Sequence, residues 1–117
     1  MLLGNLEPVV RLGMTMVLEE GGVEIVGTEE RPHSLVLMAG RLQPDAVVLD
    51  LEQPVSRALG DRVRLASPET TVIFWTRDED LMEVLDPGVS EPRRHHEAVS
   101  EELRNELVRS QVNRVER

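Results

Sequence analysis

The sequence predicts an α/β fold: a doubly wound parallel sheet with helices on both faces and right-handed crossovers. Three observations carry that prediction. The apolar runs DAVVLDL and TTVIFW are the length of strands and read as strands covered on both faces. Segments with apolar residues at helical spacing alternate with the strands along the chain. The connections between them are short and punctuated by glycine and proline. The 117 residues suit one domain spanning the whole chain, long enough to bury a core without staples.

The elements follow in order. Residues 1–4 (MLLG) read as a short strand edge. Pro8 opens a helix, because proline is well tolerated at the first helical position. Val10, Met14, Val17 and Leu18 give that helix one apolar face, and Gly21-Gly22 stops it. VEIVGT (23–28) alternates and reads as a strand. Residues 32–42 form a second helix, ended by Pro44, since the residue before proline avoids helical angles. DAVVLDL (45–51) is the strongest strand.

Residues 54–66 give a third helix and TTVIFW (70–75) a fourth strand. Asp78-Glu79-Asp80 reads as the acidic first turn of a helix, with Leu81, Met82, Val84 and Leu85 as its apolar side and Asp86-Pro87-Gly88 as its end. Residues 88–98 (GVSEPRRHHEA) are polar and hold a proline, so a short edge strand or a loop is expected there. Ser100 caps a final helix over about 99–115, with Leu103, Leu107, Val108, Val112 and Val115 on one face.

Composition excludes several functions. The net charge of -9 opposes contact with phosphate backbones, so direct nucleic-acid binding is not expected. The chain has no cysteine, which removes disulfides, thiolate catalysis and cysteine-ligated zinc. No apolar run approaches the roughly 20 residues that a membrane span needs, and the N-terminal residues do not read as a signal peptide. A cytoplasmic protein is expected. All 13 basic residues are arginine.

PDAVVLDLEQP (44–54) places an acid, Asp50, at the end of a buried strand, with a proline four residues on. LEPVVRLGMTMVLEE reads as a first helix after a strand, and VIFWT as a strand ending in a hydroxyl residue, Thr76. In order and spacing the chain resembles the receiver domain of bacterial two-component response regulators, which implies a flavodoxin-like fold: a five-stranded parallel sheet of strand order 2-1-3-4-5 with helices on both faces and a short or irregular last strand. The likeness covers nearly the whole chain and is clearest over residues 1–88.

The resemblance implies phosphoryl transfer to the strand-end aspartate, with Mg²⁺ held by that residue and a neighbouring acidic pair. Carried over residue by residue, Asp50 takes the phosphoacceptor position and Thr76 the hydroxyl position. Arg77 stands where a small residue is usual and becomes a second phosphate-contact candidate, because guanidinium grips phosphate. The acidic pair falls on Asn5 and Leu6, with Glu7 one place further on, so Asn5 with Asp50 is what remains of a metal site. The family lysine has no counterpart. Mg²⁺ prefers charged oxygens in octahedral geometry, so a degenerate pocket is expected, with no resident cofactor and Mg²⁺ only where phosphorylation survives.

Each candidate has a plainer reading. Asp50 pairs with Arg77 or caps a backbone turn. Asp50 and Glu52 share a strand face at period two, but no motif supports an acid–base pair and solvated loop acids explain them better. His95-His96 lacks the spacing of a helical metal pair. Trp75 is expected in the core. The apolar stripe Leu103, Leu107, Val112 and Val115 suits a dimer contact or a helix leading to an output domain.

The resulting expectation is a non-enzymatic, atypical response-regulator receiver acting through protein partners, as a homodimer, with a histidine kinase or a DNA-binding output domain as further partners. A working phosphorelay receiver modified on Asp50 is the first alternative. A flavodoxin-like small-ligand or enzymatic domain is the second, disfavoured because no glycine-rich phosphate loop follows the first strand.

Overall fold

The computed structural model describes residues 1–76 and 81–95. Its elements run β1 (Leu2–Leu3), α1 (Pro8–Glu20), β2 (Gly27–Thr28), α2 (Pro32–Leu42), β3 (Ala46–Asp50), α3 (Ser56–Ala66), β4 (Thr71–Thr76), β5 (Leu81–Leu85) and β6 (Arg93–His95). They build one six-stranded sheet in the order β2-β1-β3-β4-β5-β6. The first four strands in that order are parallel, and β5 and β6 pair antiparallel to their neighbours.

Strand alternation divides the core into two layers. Leu3, Ala46, Val48, Ile73, Met82 and Val84 share one layer with Met14 and Leu18 of α1. Leu2, Val47, Leu49, Val72 and Phe74 share the other with Leu35 and Ala39 of α2 and Leu59 and Val63 of α3. Helices therefore cover both faces, and the strand order 2-1-3-4-5 holds for the first five strands. This is the flavodoxin-like α/β arrangement. β3 reads as a continuous apolar run because it is central, with all five of its residues buried.

Two differences from the sequence reading concern the C-terminal half. Residues 81–85, expected as the apolar side of a helix, are strand β5, paired with β4 from Val72↔Leu85 to Thr76↔Leu81. Only four residues separate Thr76 from Leu81, a hairpin-length connection with no room for a helix. LMEVL satisfies a helical pattern and a strand pattern equally, and a run of five cannot decide between them locally. The unpaired edge of β4 decides it by offering backbone partners. The polar segment expected as a short edge strand or loop does carry a short edge strand, β6, which makes six strands rather than five.

β2 is also shorter than the VEIVGT run, covering Gly27–Thr28 alone. Trp75 is partly exposed at the margin of the core rather than inside it. The expected helix over 99–115, its stripe Leu103, Leu107, Val112 and Val115, the acidic run at 78–80, Arg77 and His96 lie outside the described residues.

Gly4 is where β1 comes closest to its surroundings. A Cβ there would stand 2.5 Å from Leu49 Cδ2 and 2.9 Å from the Val48 carbonyl oxygen. The close approach lets the Gly4 N–H donate to Val48 O at 2.8 Å and sets the start of the next loop against the end of β3. Among the described residues no helix is long and apolar enough to cross a membrane.

Candidate functional site

The carboxyl ends of the parallel strands β1, β3 and β4 lie along one edge of the sheet, and the strand order reverses between β1 and β3. That crevice is where open α/β sheets bind ligands. Asn5, just after β1, and Asp50, the last residue of β3, meet there.

Their contact is a hydrogen-bonded strut. The Asp50 N–H donates to Asn5 Oδ1 at 3.0 Å. Asn5 Nδ2 donates to Ser56 Oγ at 2.9 Å. The Ser56 hydroxyl in turn donates to the Asp50 carbonyl oxygen. Three residues from the β1–α1 loop, β3 and the first turn of α3 thus close a ring around the end of the strand. Ser56 is fully buried, so its hydroxyl must find partners inside the protein, and it finds both.

The Asp50 carboxylate points into a turn. Its Oδ1 accepts a hydrogen bond from the Glu52 N–H at 2.9 Å, the Asx-type closure that aspartate makes two residues along its own backbone. The expectation that Asp50 caps a backbone turn is met. Its pairing with Arg77 lies outside the described residues. Among the described residues no basic side chain pairs with Asp50.

A cleft at this edge is lined by Glu7, Val10, Asp50, Glu52 and Trp75 and encloses about 10 Å³, room for roughly one water molecule. Its titratable lining is acidic: three carboxylates and no described cation. Among the described residues no group of three or more His, Asp or Glu side chains is placed to hold a metal ion.

The donor set does not fit Mg²⁺. Asn5 supplies a neutral oxygen already engaged by the Asp50 N–H. Leu6, at the second position of the expected acidic pair, is buried in the core beside Leu3 and Met14. Glu7 and Glu52 line the same cleft, but with Asp50 they are not placed to give one ion the several charged oxygens it requires.

Thr76 ends β4 next to the same edge. Its side chain is buried, and among the described residues its Oγ1 has no hydrogen-bond partner. By strand alternation Thr76 follows Phe74 and Val72, while Asp50 follows Val48, so the two residues belong to opposite layers of the sheet. The structure sets them on adjacent strand ends without joining them.

A second polar cluster sits beside this edge. Glu83 of β5 is buried, and its carboxylate accepts from Arg57 Nη2 at 2.9 Å and Nη1 at 3.2 Å. The Arg57 guanidinium lies 5.7 Å from the centre of the Phe74 ring. Its ionisation is raised above the usual arginine value, first by the hydrogen bond to Glu83. This fork joins α3 to β5.

Sequence reading found Asn5, Glu7, Asp50 and Thr76 but missed Ser56 and the Arg57–Glu83 pair. Ser56 had a visible signal, a serine at the start of a helical pattern. Arg57 and Glu83 had none, because only the hairpin of β4 and β5 brings them together.

No family model, no curated protein and no solved structure matches the chain. Functional inference therefore rests on the geometry of the sheet edge and on the residues themselves.

Proposed function

We propose that the chain is a receiver-like regulatory domain that works by contact with protein partners, itself included, and not by phosphorylation. The proposal places it in a bacterial cytoplasm, without catalytic activity of its own. One observation supports it above the rest: two of the oxygens that a phosphorylation site would offer to a metal take part in holding the fold. Asn5 Oδ1 is tied to the Asp50 backbone and Asp50 Oδ1 to the Glu52 backbone. The one-water cleft and its three carboxylates point the same way, because an incoming phosphoryl donor meets negative charge with no described cation to offset it.

Thr76 favours a second reading. A buried hydroxyl without a partner is uncommon and calls for an explanation. A phosphoryl oxygen brought to the sheet edge would supply the missing partner, which is the arrangement a working phosphorelay receiver needs.

Intact-mass spectrometry separates the two. The protein is incubated with Mg²⁺ and acetyl phosphate, beside Asp50→Ala as control. No added phosphoryl group on either chain supports the phosphorylation-independent reading. One phosphoryl group on the parent chain, absent from Asp50→Ala, establishes the working receiver and overturns it.

A further inference from the structure

We infer that the chain's own C-terminal segment, through residues 99–107, docks on β4 and β5 on the α1 side of the sheet and covers Ile73, Met82 and Val84. The inference goes beyond the proposed function and stands without it.

The observation behind it is burial without a described cover. Leu3, Val48, Ile73 and Val84 are cross-strand neighbours, one on each of β1, β3, β4 and β5. All four belong to one layer of the core and all are fully buried. Met82, two residues before Val84, is buried in the same layer. Adjacent strands lie about 4.8 Å apart, so the row from Leu3 to Val84 is roughly 14 Å long before side-chain widths are added.

Among the described residues α1 is the one helix on this side, because α2 and α3 pack against the opposite layer. A helix is about 10–12 Å across and covers about two strands. α1 is tied to β1 at its start and to β2 at its end, which holds it toward the β1 end of the row. Its first turns reach Trp75 at the sheet edge, and β5 lies a strand further on. Residues 77–80 join β4 to β5 beyond the Thr76↔Leu81 pair, about 10 Å along the strands from Ile73↔Val84. Neither α1 nor that connection accounts for the burial of Val84.

The course of the chain selects the occupant. β6 runs parallel to β4, since each is antiparallel to β5, and His95 stands level with Met82 and Trp75. The described chain thus ends near the carboxyl edge of the sheet, beside β5, with residues 96–117 still to follow. One side of β5 is already taken, because Arg57 of α3 forks onto Glu83 there. Met82 and Val84 are on the other. Val99, Leu103 and Leu107 are spaced four apart, so in the helix that the sequence predicts they form one apolar row. From 99 to 107 that row is about 12 Å long, close to the roughly 13 Å of β5. A second copy is not needed, since Ile73, Met82 and Val84 are buried within a single chain.

The test is methyl NMR on the full chain. Nuclear Overhauser effects from the Leu103 or Leu107 methyls to those of Ile73, Met82 or Val84 are expected. A sample mixing isotope-labelled and unlabelled chains separates contacts within a chain from contacts between copies. Leu107→Ala is expected to raise the unfolding constant in urea by about thirtyfold or more, the effect of emptying a buried leucine site. Leu37→Ala, at an exposed residue of α2, is expected to change it by about twofold or less. Absence of the expected effects between methyls overturns the inference. Effects to Leu12 and Met16 in their place also overturn it, because they put the segment on the outer side of α1. Effects found only between copies overturn it as well, and so does a Leu107→Ala change no larger than that of Leu37→Ala.

Discussion

Asn5 Oδ1 accepts the N–H of Asp50 at 3.0 Å, and its amide nitrogen donates to Ser56 Oγ at 2.9 Å. One neutral side chain thus holds the end of the central strand against the start of α3. A carboxylate in its place has no donor to offer Ser56. The neutral residue that weakens the metal site is the one that suits the strut.

Asn5→Ala leaves the Asp50 N–H and the Ser56 hydroxyl each short of a partner. It is expected to lower unfolding free energy by about 1–3 kcal/mol, the cost of stranding buried polar groups. Urea denaturation monitored by circular dichroism measures this. A change near zero would mean that water replaces the amide.

Asp50→Ala removes the acceptor of the Glu52 N–H and little else in the described residues. A loss of about 0.5–1.5 kcal/mol is expected, the value of one ordinary hydrogen bond, with self-association unchanged. Urea denaturation and sedimentation of the variant check both halves.

Gly4→Ala drives a methyl into Leu49 Cδ2 and the Val48 carbonyl oxygen, 2.5 and 2.9 Å from the Cβ position. The carbonyl belongs to the central strand and cannot swing away. Overpacking of this kind costs about 1–3 kcal/mol, and thermal unfolding should show a lowered midpoint.

Arg57→Ala removes the forked partner of the buried Glu83 carboxylate. A loss of about 1–3 kcal/mol is expected in urea denaturation. Arg57→Lys should recover only part of it, because an ammonium cannot make two parallel hydrogen bonds. Full recovery would show that charge alone matters at this position.

Glu29 accepts hydrogen bonds from the Arg31 side chain and backbone, which lower its ionisation below the ordinary 4.5. Because the folded value lies below the unfolded one, the stabilisation is present above about pH 4.5 and is lost as pH falls through the folded value. Side-chain carboxyl titration by NMR should place the Glu29 midpoint below 4.5, and Arg31→Ala should raise it. An unchanged midpoint in Arg31→Ala would show that the arginine is not the cause.

Legibility in the sequence followed the range of the interactions. Ala46–Asp50 and Thr71–Thr76 were readable because strands buried on both faces must be apolar throughout, a local property. Pro8 and Gly21-Gly22 bracketed α1 for the same kind of reason, since each acts on its own backbone. Asp50 and Asn5 stood out through their places at strand ends. Their joint strut with Ser56 did not, because residues 5, 50 and 56 touch only once three segments have packed.

The sequence by itself determined a layered α/β domain, an acidic charge, an arginine-only basic set and an aspartate at the end of a central strand. Tertiary structure alone decided that 81–85 is a strand, because the open edge of β4 supplies backbone partners that no local pattern encodes. It alone closed Asn5, Ser56 and Asp50 into a ring and left Thr76 Oγ1 without a partner among the described residues. It also left Val9, Leu12 and Met16 of α1 exposed. Apolar periodicity records which residues avoid water, but not which surface, or which copy of the chain, removes the water from them.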